Sequence, residues 1–290
     1  MKGILSQDED TLFASLIKSD SARSWSYDGT RIVFTCDGIV YVSDWNGSPL
    51  AITADSLECR NAVSSPLDPR IAFESDADGT SQIYTTTLPI GGLQKLTSDP
   101  ISATFPSWRS DGGKIAYTGS QGIHIMNSDG SGNTQTTFSP ADFAPRWSPQ
   151  GDKLLYQSTR TGNNELFLIN SDGSGEVNVT QSNAYDSQGA WSLNGDAIVF
   201  VSNKDHLVPD EYGIPDSHTD LYVFTLATGL ISRFTTDSYA ASPTFATQTH
   251  IVFTDGGNLK VYNMASEEVD WLFLPSRYAS VFAMSPGPLR

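Results

Sequence analysis

Apolar residues recur along this chain in short, regularly spaced runs. RIVFT from Arg31, RIAFES from Arg70, KIAYT from Lys114, KLLYQ from Lys153, AIVFV from Ala197 and HIVFT from His250 are dense in β-branched and aromatic residues. Runs of this length are too short for helices and fit strands covered on both faces. A second set alternates with period two: IVYVSD from Ile39, QIYTTT from Gln82, IHIMNS from Ile123, ELFLIN from Glu165, LYVFTL from Leu221 and LKVYNM from Leu259. Turn pairs precede the first set, at Asp28-Gly29, Asp111-Gly112, Gln150-Gly151 and Asn194-Gly195. Others follow the second, at Asn46-Gly47, Asp129-Gly130, Asp172-Gly173 and Thr228-Gly229. Such pairs supply the positive φ that tight hairpins need. A last short run then ends on Thr: LAIT, LQKLT, VNVT, ISRFT.

The strands form a repeat. A Trp closes the first strand at Trp25, Trp108, Trp147 and Trp191, and the last two spacings are 39 and 44 residues. The gap of 83 between Trp25 and Trp108 holds one more repeat, degenerate at its anchor near Ser64-Ser65-Pro66. A sixth repeat carries Phe245 in the Trp position, 54 residues on, so the fifth contains an insertion. Four antiparallel strands at a ~40–45-residue period make one blade of a β-propeller. The expected fold is all-β: a six-bladed β-propeller of four-stranded antiparallel blades over residues 20–275. Residues 1–19 are then an N-terminal helix or edge strand. Residues 276–290 are a C-terminal tail or closure segment, and VDWLFL from Val269 sits where a fourth strand belongs. The Trp anchors are expected to pack between blades.

The repeat resembles the TolB-type propeller repeat. The resemblance rests on Trp147-Ser148-Pro149-Gln150-Gly151 with Lys153-Leu154-Leu155-Tyr156, on Glu165–Asn170 with Asp172-Gly173, and on Trp108, Asp111-Gly112 and Lys114–Tyr117. It covers the propeller only, without the N-terminal α/β domain that TolB carries. It implies binding of a protein or peptide at the wide mouth of the channel. It also implies a periplasmic or extracellular setting if a leader was removed, and a cytoplasmic one otherwise. Similar propellers gate prolyl-oligopeptidase-type peptidases and occur in oligogalacturonate lyases.

Composition narrows the partner. Of 290 residues 33 are acidic and 17 basic, a net charge of −16. That argues against a duplex nucleic acid or anionic lipid surface as the natural ligand. No apolar run reaches the ~18 residues of a membrane span. Cys36 and Cys59 are expected to be buried free thiols, with a single bridge as the alternative. A monomer is expected.

Strand direction places the candidate chemistry. Strands one and three run in one direction, so the 2→3 and 4→1 loops share one face. The longest 2→3 loop, 203–219, carries His206, His218, Asp205, Asp210, Glu211 and Asp216, with Asp220 just beyond. His206, Asp216 and His218 form a candidate site for a divalent cation such as calcium, the only cofactor considered. The alternative is a solvated acidic loop whose Tyr212 and Ile214 lean on the ring. Five residues before the anchors stand Asp20, Asp142 and Asp186, which could form an acidic ring that draws a cation or a basic peptide. They could equally serve local turns. Phe105, Phe143, Arg146, Tyr185, Gln188 and Tyr239 lie on or near the same loops as interface anchors or as inter-blade packing. The turns around Asp129 and Asp172 lack a full calcium-ligand ladder and read as hairpins. No G-x-S-x-G elbow occurs, and the first-strand segments contain no His. The sequence therefore favours a binding module, with a metal-dependent carbohydrate lyase or hydrolase working through the His206/His218 loop as the alternative.

Overall fold

A computed structural model of the chain describes residues 23–44, 49–89, 91–206, 218–236 and 238–271. Six four-stranded antiparallel sheets follow one another, each with its strands side by side in chain order. The first blade holds β1 (Arg23–Trp25), β2 (Arg31–Cys36), β3 (Ile39–Asp44) and β4 (Leu50–Ala51). The second holds β5 (Cys59–Ser64), β6 (Arg70–Ser75), β7 (Gln82–Thr87) and β8 (Gly91–Lys95). The third holds β9 (Thr104–Trp108), β10 (Lys114–Gly119), β11 (Gly122–Asn127) and β12 (Thr134–Gln135). The fourth holds β13 (Asp142–Trp147), β14 (Lys153–Ser158), β15 (Glu165–Asn170) and β16 (Val177–Asn178). The fifth holds β17 (Asp186–Trp191), β18 (Ala197–Ser202), β19 (Asp220–Thr225) and β20 (Leu230–Arg233). The sixth holds β21 (Ala240–Phe245), β22 (His250–Asp255), β23 (Asn258–Asn263) and β24 (Glu268–Trp271).

This is the six-bladed β-propeller that the repeat predicts. The degenerate anchor at Ser64 does end a first strand, and β24 fills the fourth-strand position read from Val269. The terminal segments 1–19 and 276–290 lie outside the described residues. Contacts divide the chain into two compact units, blades one to three and blades four to six, with Gln121–His124 and Gln135 onward counted in the second.

Three local devices recur among the blades. The first is the residue after the anchor. Ser148 Oγ accepts the Lys153 N–H (3.1 Å) and donates to Asp152 (2.8 Å), while the Gly151 N–H returns to the Ser148 carbonyl (2.9 Å). Ser26 and Ser192 close their turns on Arg31 and Ala197 in the same way (3.0 and 2.9 Å). The turn glycines Gly29, Gly151 and Gly195 stand at φ 68°, 72° and 70°, where a side chain is strained.

The second device is the Thr that ends the fourth-strand run. Thr53, Thr97, Thr137, Thr180 and Thr235 each accept, through Oγ1, the N–H of the second residue of strand three. Those donors are Val40, Ile83, Ile123, Leu166 and Leu221, at 2.9 to 3.1 Å.

The third is a bulge in strand one. Asn61, Phe105, Ala144, Gln188 and Ser242 all have positive φ, between 48° and 55°, and each stands three residues before its anchor. The pairing register slips around all five, between Arg60 and Val63, Thr104 and Ser107, Phe143 and Arg146, Ser187 and Ala190, and Ala241 and Thr244. A classic pleat cannot absorb the extra residue, so the strand bends there. These five residues share no chemical property, which is why the sequence gives no sign of the bulge.

The anchors pack as expected within each unit. Trp108 lies among Ala72, Ile83, Ile115, Tyr117 and Met126, and its Nε1 donates to the Val63 carbonyl (3.2 Å). Trp191 packs on the cluster of Leu155, Leu166, Ile198 and Phe200, and its Nε1 donates to the Arg146 carbonyl (3.2 Å). Phe245 replaces Trp in a cluster with Val199, Leu221 and Phe253. Cys36 and Cys59 are buried free thiols, and burial pushes the Cys59 thiol up. Asp129 and Asp172 each accept from the N–H and hydroxyl of Ser131 and Ser174 (2.9 and 2.6 Å), so these segments are hairpin turns.

Gly122 marks a departure from the repeat. It opens β11, where other blades place Gln82, Glu165 or Asp220, and its φ is +133°. A Cβ there would stand 2.4 Å from the Thr137 carbonyl oxygen, so the backbone itself fills the space. Gly122→Ala should cost about 3 kcal/mol in urea unfolding, against about 1 kcal/mol for Gly29→Ala, whose Cβ would meet no atom within 4 Å. Equal costs would show that the approach of Thr137 is not the constraint.

Candidate functional site

Loop length singles out blade five. The 2→3 connection is a tight turn in blade one (Asp37-Gly38), blade three (Ser120-Gln121) and blade six (Gly256-Gly257). It is longer, and equal in length, in blades two (76–81) and four (159–164), and longest in blade five. Residues 207–217 of that insertion, with Asp210, Glu211, Tyr212, Ile214 and Asp216, lie outside the described residues. Both of its ends are described, the 3-10 turn Lys204–His206 and the segment from His218 into β19.

A buried carboxylate organises those ends. Asp220, the first residue of β19, has no solvent exposure. It accepts from Thr235 Oγ1 (2.8 Å), Ser238 Oγ (3.0 Å) and Arg233 Nη2, and it pairs with His206 Nε2 (2.7 Å). Burial opposes its ionisation, yet the hydrogen bonds from His206, Thr235, Arg233 and Ser238 outweigh burial and hold its carboxyl below the usual range. Arg233 also reaches Asp205 (3.0 Å), which accepts from the Tyr222 hydroxyl (2.7 Å). Burial, reinforced by Asp205, pushes the Tyr222 hydroxyl far up. His218 lies between two rings, with centroids 5.4 Å from His206 and 4.5 Å from Tyr239. Both ends of the insertion are thus tied to the strands of blade five and to Tyr239.

A polar cleft of about 560 Å³ opens beside this cluster, lined by Thr161, Asn163, Glu165, Gln181, Ser182, Asn183, Lys204 and Asp205. Its walls are held by hydrogen bonds. Asn163 Nδ2 donates to the carbonyls of Ser182 (3.0 Å) and Ala184. Glu165 accepts from Thr180 Oγ1 (2.6 Å) and the Ser182 N–H (3.1 Å). The Tyr185 N–H donates to Asn203 Oδ1 (2.8 Å), which fixes that exposed tyrosine next to the Asn183 and Lys204 walls.

The predicted residues fall in different places. Phe105, Tyr185 and Tyr239 are exposed at 40%, 58% and 50%. Phe143 is half-buried, while Arg146 and Gln188 are exposed. Gln188 is itself a bulge residue, and its side-chain oxygen accepts the Ser242 N–H. Asp20 and Asp216 lie outside the described residues. The acidic ring needs correction at both of its described members. Asp142 and Asp186 are 0% and 1% exposed, opposite Ser158 and Ser202 at the start of β13 and β17. Their side chains are buried away from the solvent. Asp186 accepts from Ser182 Oγ (2.7 Å); burial, with Glu165 nearby, raises its pKa against the Ser202 and Ser182 hydroxyls. Asp142 has Arg160 at 3.8 Å. Among the described residues no group of three or more His, Cys, Asp or Glu side chains is placed to hold a metal ion.

Sequence reasoning missed Arg233, Thr235 and Ser238 around Asp220, and the cleft residues Asn163, Glu165, Ser182 and Lys204. A signal was present: a polar residue opening strand three, Gln82, Glu165 or Asp220, is matched by a Thr 15 positions later.

The comparisons agree with this architecture. No family model matches the chain. An uncharacterised protein of Agrobacterium fabrum is 30% identical over 196 residues, covering 62% of this chain and 65% of that protein. The Tol-Pal system protein TolB of Desulfosudis oleivorans is 27% identical over 124 residues, 38% of this chain and 28% of its own length. The chain thus matches less than two thirds of the length of either relative. The solved structure of TolB from Acinetobacter baumannii aligns with a TM-score of 0.59 at 17% identity, over 86% of this chain and 62% of that one. The chain is a TolB-like six-bladed propeller. An oligogalacturonate lyase in complex with manganese has the same fold, with a TM-score of 0.66 at 15% identity over 87% of this chain and 76% of that one. Fold alone therefore leaves the activity of this TolB-like propeller undecided.

Removing the organising carboxylate tests the cluster. Asp220→Ala leaves Arg233 and His206 without their shared partner and should cost about 3 kcal/mol in thermal or urea unfolding at neutral pH. The wild-type contribution from this depressed carboxyl is present above the unfolded pKa of about 3.9 and is lost as pH falls through the lower folded value. A cost below about 1 kcal/mol would mean that the cluster does not hold the blade.

Proposed function

We propose that this propeller is a binding module for a protein or peptide segment, taken on the loop face of blades four to six. The observation that carries the reading is the pairing of a hydrogen-bonded polar cleft with exposed aromatics. Tyr185 is tethered at the cleft, and Tyr239 stacks on His218 at the root of the longest insertion. Exposed aromatics on a rigid frame make strong interface anchors, because little side-chain freedom is lost on binding. The net charge of −16 favours a segment that carries Lys or Arg.

The relatives support binding in a general way, since a Tol-Pal system protein is among them. The His206/His218 loop has a different role in this reading. His206 Nε2 faces Asp220, an arrangement that anchors the insertion.

Peptide display against the full chain gives a direct test. Enriched peptides should be basic, and Tyr185→Ala and Tyr239→Ala should each weaken their binding about tenfold, or about 1.4 kcal/mol. The Tyr27→Ala control, on an exposed turn of the first blade, should leave binding unchanged. No enrichment, or enrichment insensitive to both loop-face tyrosines, would contradict the reading.

A further inference from the structure

The second strand opens on a basic residue in five of the six blades. Arg31, Arg70, Lys114, Lys153 and His250 hold this place, and Ala197 in blade five is the exception. The basic residue has a visible task. Arg70 sets its guanidinium 4.9 Å from the ring centroid of Trp108, the anchor of the following blade, and pairs with Asp68 (2.6 Å). Lys153 donates to Asn170 Oδ1 (2.8 Å) and has Asp152 at 3.7 Å. Ala197 can do neither.

The missing cation is one of several losses at the same seam. Four side chains between blades five and six are smaller than their counterparts one blade earlier. Ala197 stands for Lys153, Asn194 for Gln150, Val223 for Leu168 and Phe245 for Trp191. These four line a pocket of about 330 Å³, together with Met264 and Asp196. All six belong to one compact unit. Val223, Phe245 and Met264 share one apolar cluster and make the floor. Asp196 is exposed at the rim. It accepts from Ser192 Oγ (2.9 Å) and Asn194 Nδ2 (2.7 Å), as Asp152 accepts from Ser148 Oγ (2.8 Å). Asp152 has Lys153 beside it, whereas Asp196 forms no ion pair among the described residues.

We propose that this pocket takes a guanidinium group from a ligand, resting on the apolar floor and paired with Asp196. The ligand then supplies the cation that Arg70 and Lys153 supply from within the chain. A guanidinium is flat and weakly hydrated, with hydrogen-bond donors along its edge, and so suits an apolar floor under a carboxylate rim. The net charge of −16 favours its approach. The pocket lies at the hairpin turn between the first two strands of blade five, at the opposite end of that blade from the insertion. It is separate from the loop-face reading, and each can fail alone.

The test is an NMR titration of the full chain at constant ionic strength, read on the Met264 methyl signal, which is identified by its loss in Met264→Leu. The probes are acetyl-arginine amide and acetyl-citrulline amide, which share a shape and differ in charge. The expected result is a saturable shift with the arginine probe and an affinity for the citrulline probe at least about tenfold lower. Asp196→Asn should weaken the arginine probe about tenfold. Ala197→Arg, which restores the basic residue of the other blades, should fold as the wild type does and abolish the shift. A capped pentapeptide with a central arginine separates the sources. Tighter binding than the single residue identifies a polypeptide ligand, and equal binding identifies a small guanidinium compound. No saturable shift with the arginine probe, equal affinity for both probes, or undiminished binding by Asp196→Asn or by folded Ala197→Arg would overturn the proposal.

Discussion

A single hydrogen bond, repeated in five blades, is what the rest of the structure depends on. The Thr after strand four lends its hydroxyl to an N–H at the start of strand three, or next to it. The outer strand is short, two residues in blades one, three and four, and cannot hold its own end by ladder bonds. The Thr hydroxyl extends the ladder where the backbone leaves it. It also satisfies an amide whose loss of partner would cost about 1–3 kcal/mol in the interior. The chain then crosses to the next blade from a fixed point, so the 4→1 loops start from rigid positions.

The candidate site is an elaboration of that bond. In blades two, four and five the Thr hydroxyl in turn donates to Gln82, Glu165 or Asp220. Each of these accepts a second bond from the loop beyond, from the Asp99, Ser182 or Ser238 N–H. Blade four thereby shapes the cleft wall at Glu165. Blade five adds His206 and Arg233 to the same carboxylate and secures both ends of its insertion. Structure and candidate function share one network here, and the loops that vary most rest on its most repeated element.

Much of the fold was legible because its signals are periodic. Strand runs, turn glycines and Trp anchors recur at fixed spacing, and even Phe245 and Ser64 could be placed by arithmetic. The site was less legible because its signals are relational. Asp142 and Asp186 look like loop acids in the sequence, but the bulge at Ala144 and Gln188 draws the start of each first strand into the blade and buries them. Of the partners of Asp220 only Thr235 has a periodic signal, since Arg233 and Ser238 reach it from across a hairpin. Phe105 lies within β9, and Tyr185 and Tyr239 stand just before β17 and β21; their exposure depends on backbone geometry that residue type does not encode.

Hydrogen exchange at the Leu166 amide measures the Thr contribution most directly. In the wild-type chain this amide should be among the slowest, opening only with the blade. In Thr180→Val, which keeps the shape and removes the hydroxyl, its exchange should accelerate at least about tenfold relative to neighbouring β15 amides, while Thr180→Ser should retain protection. Unchanged protection of Leu166 in Thr180→Val would contradict the claim that the Thr hydroxyl holds the blade and the loops built on it.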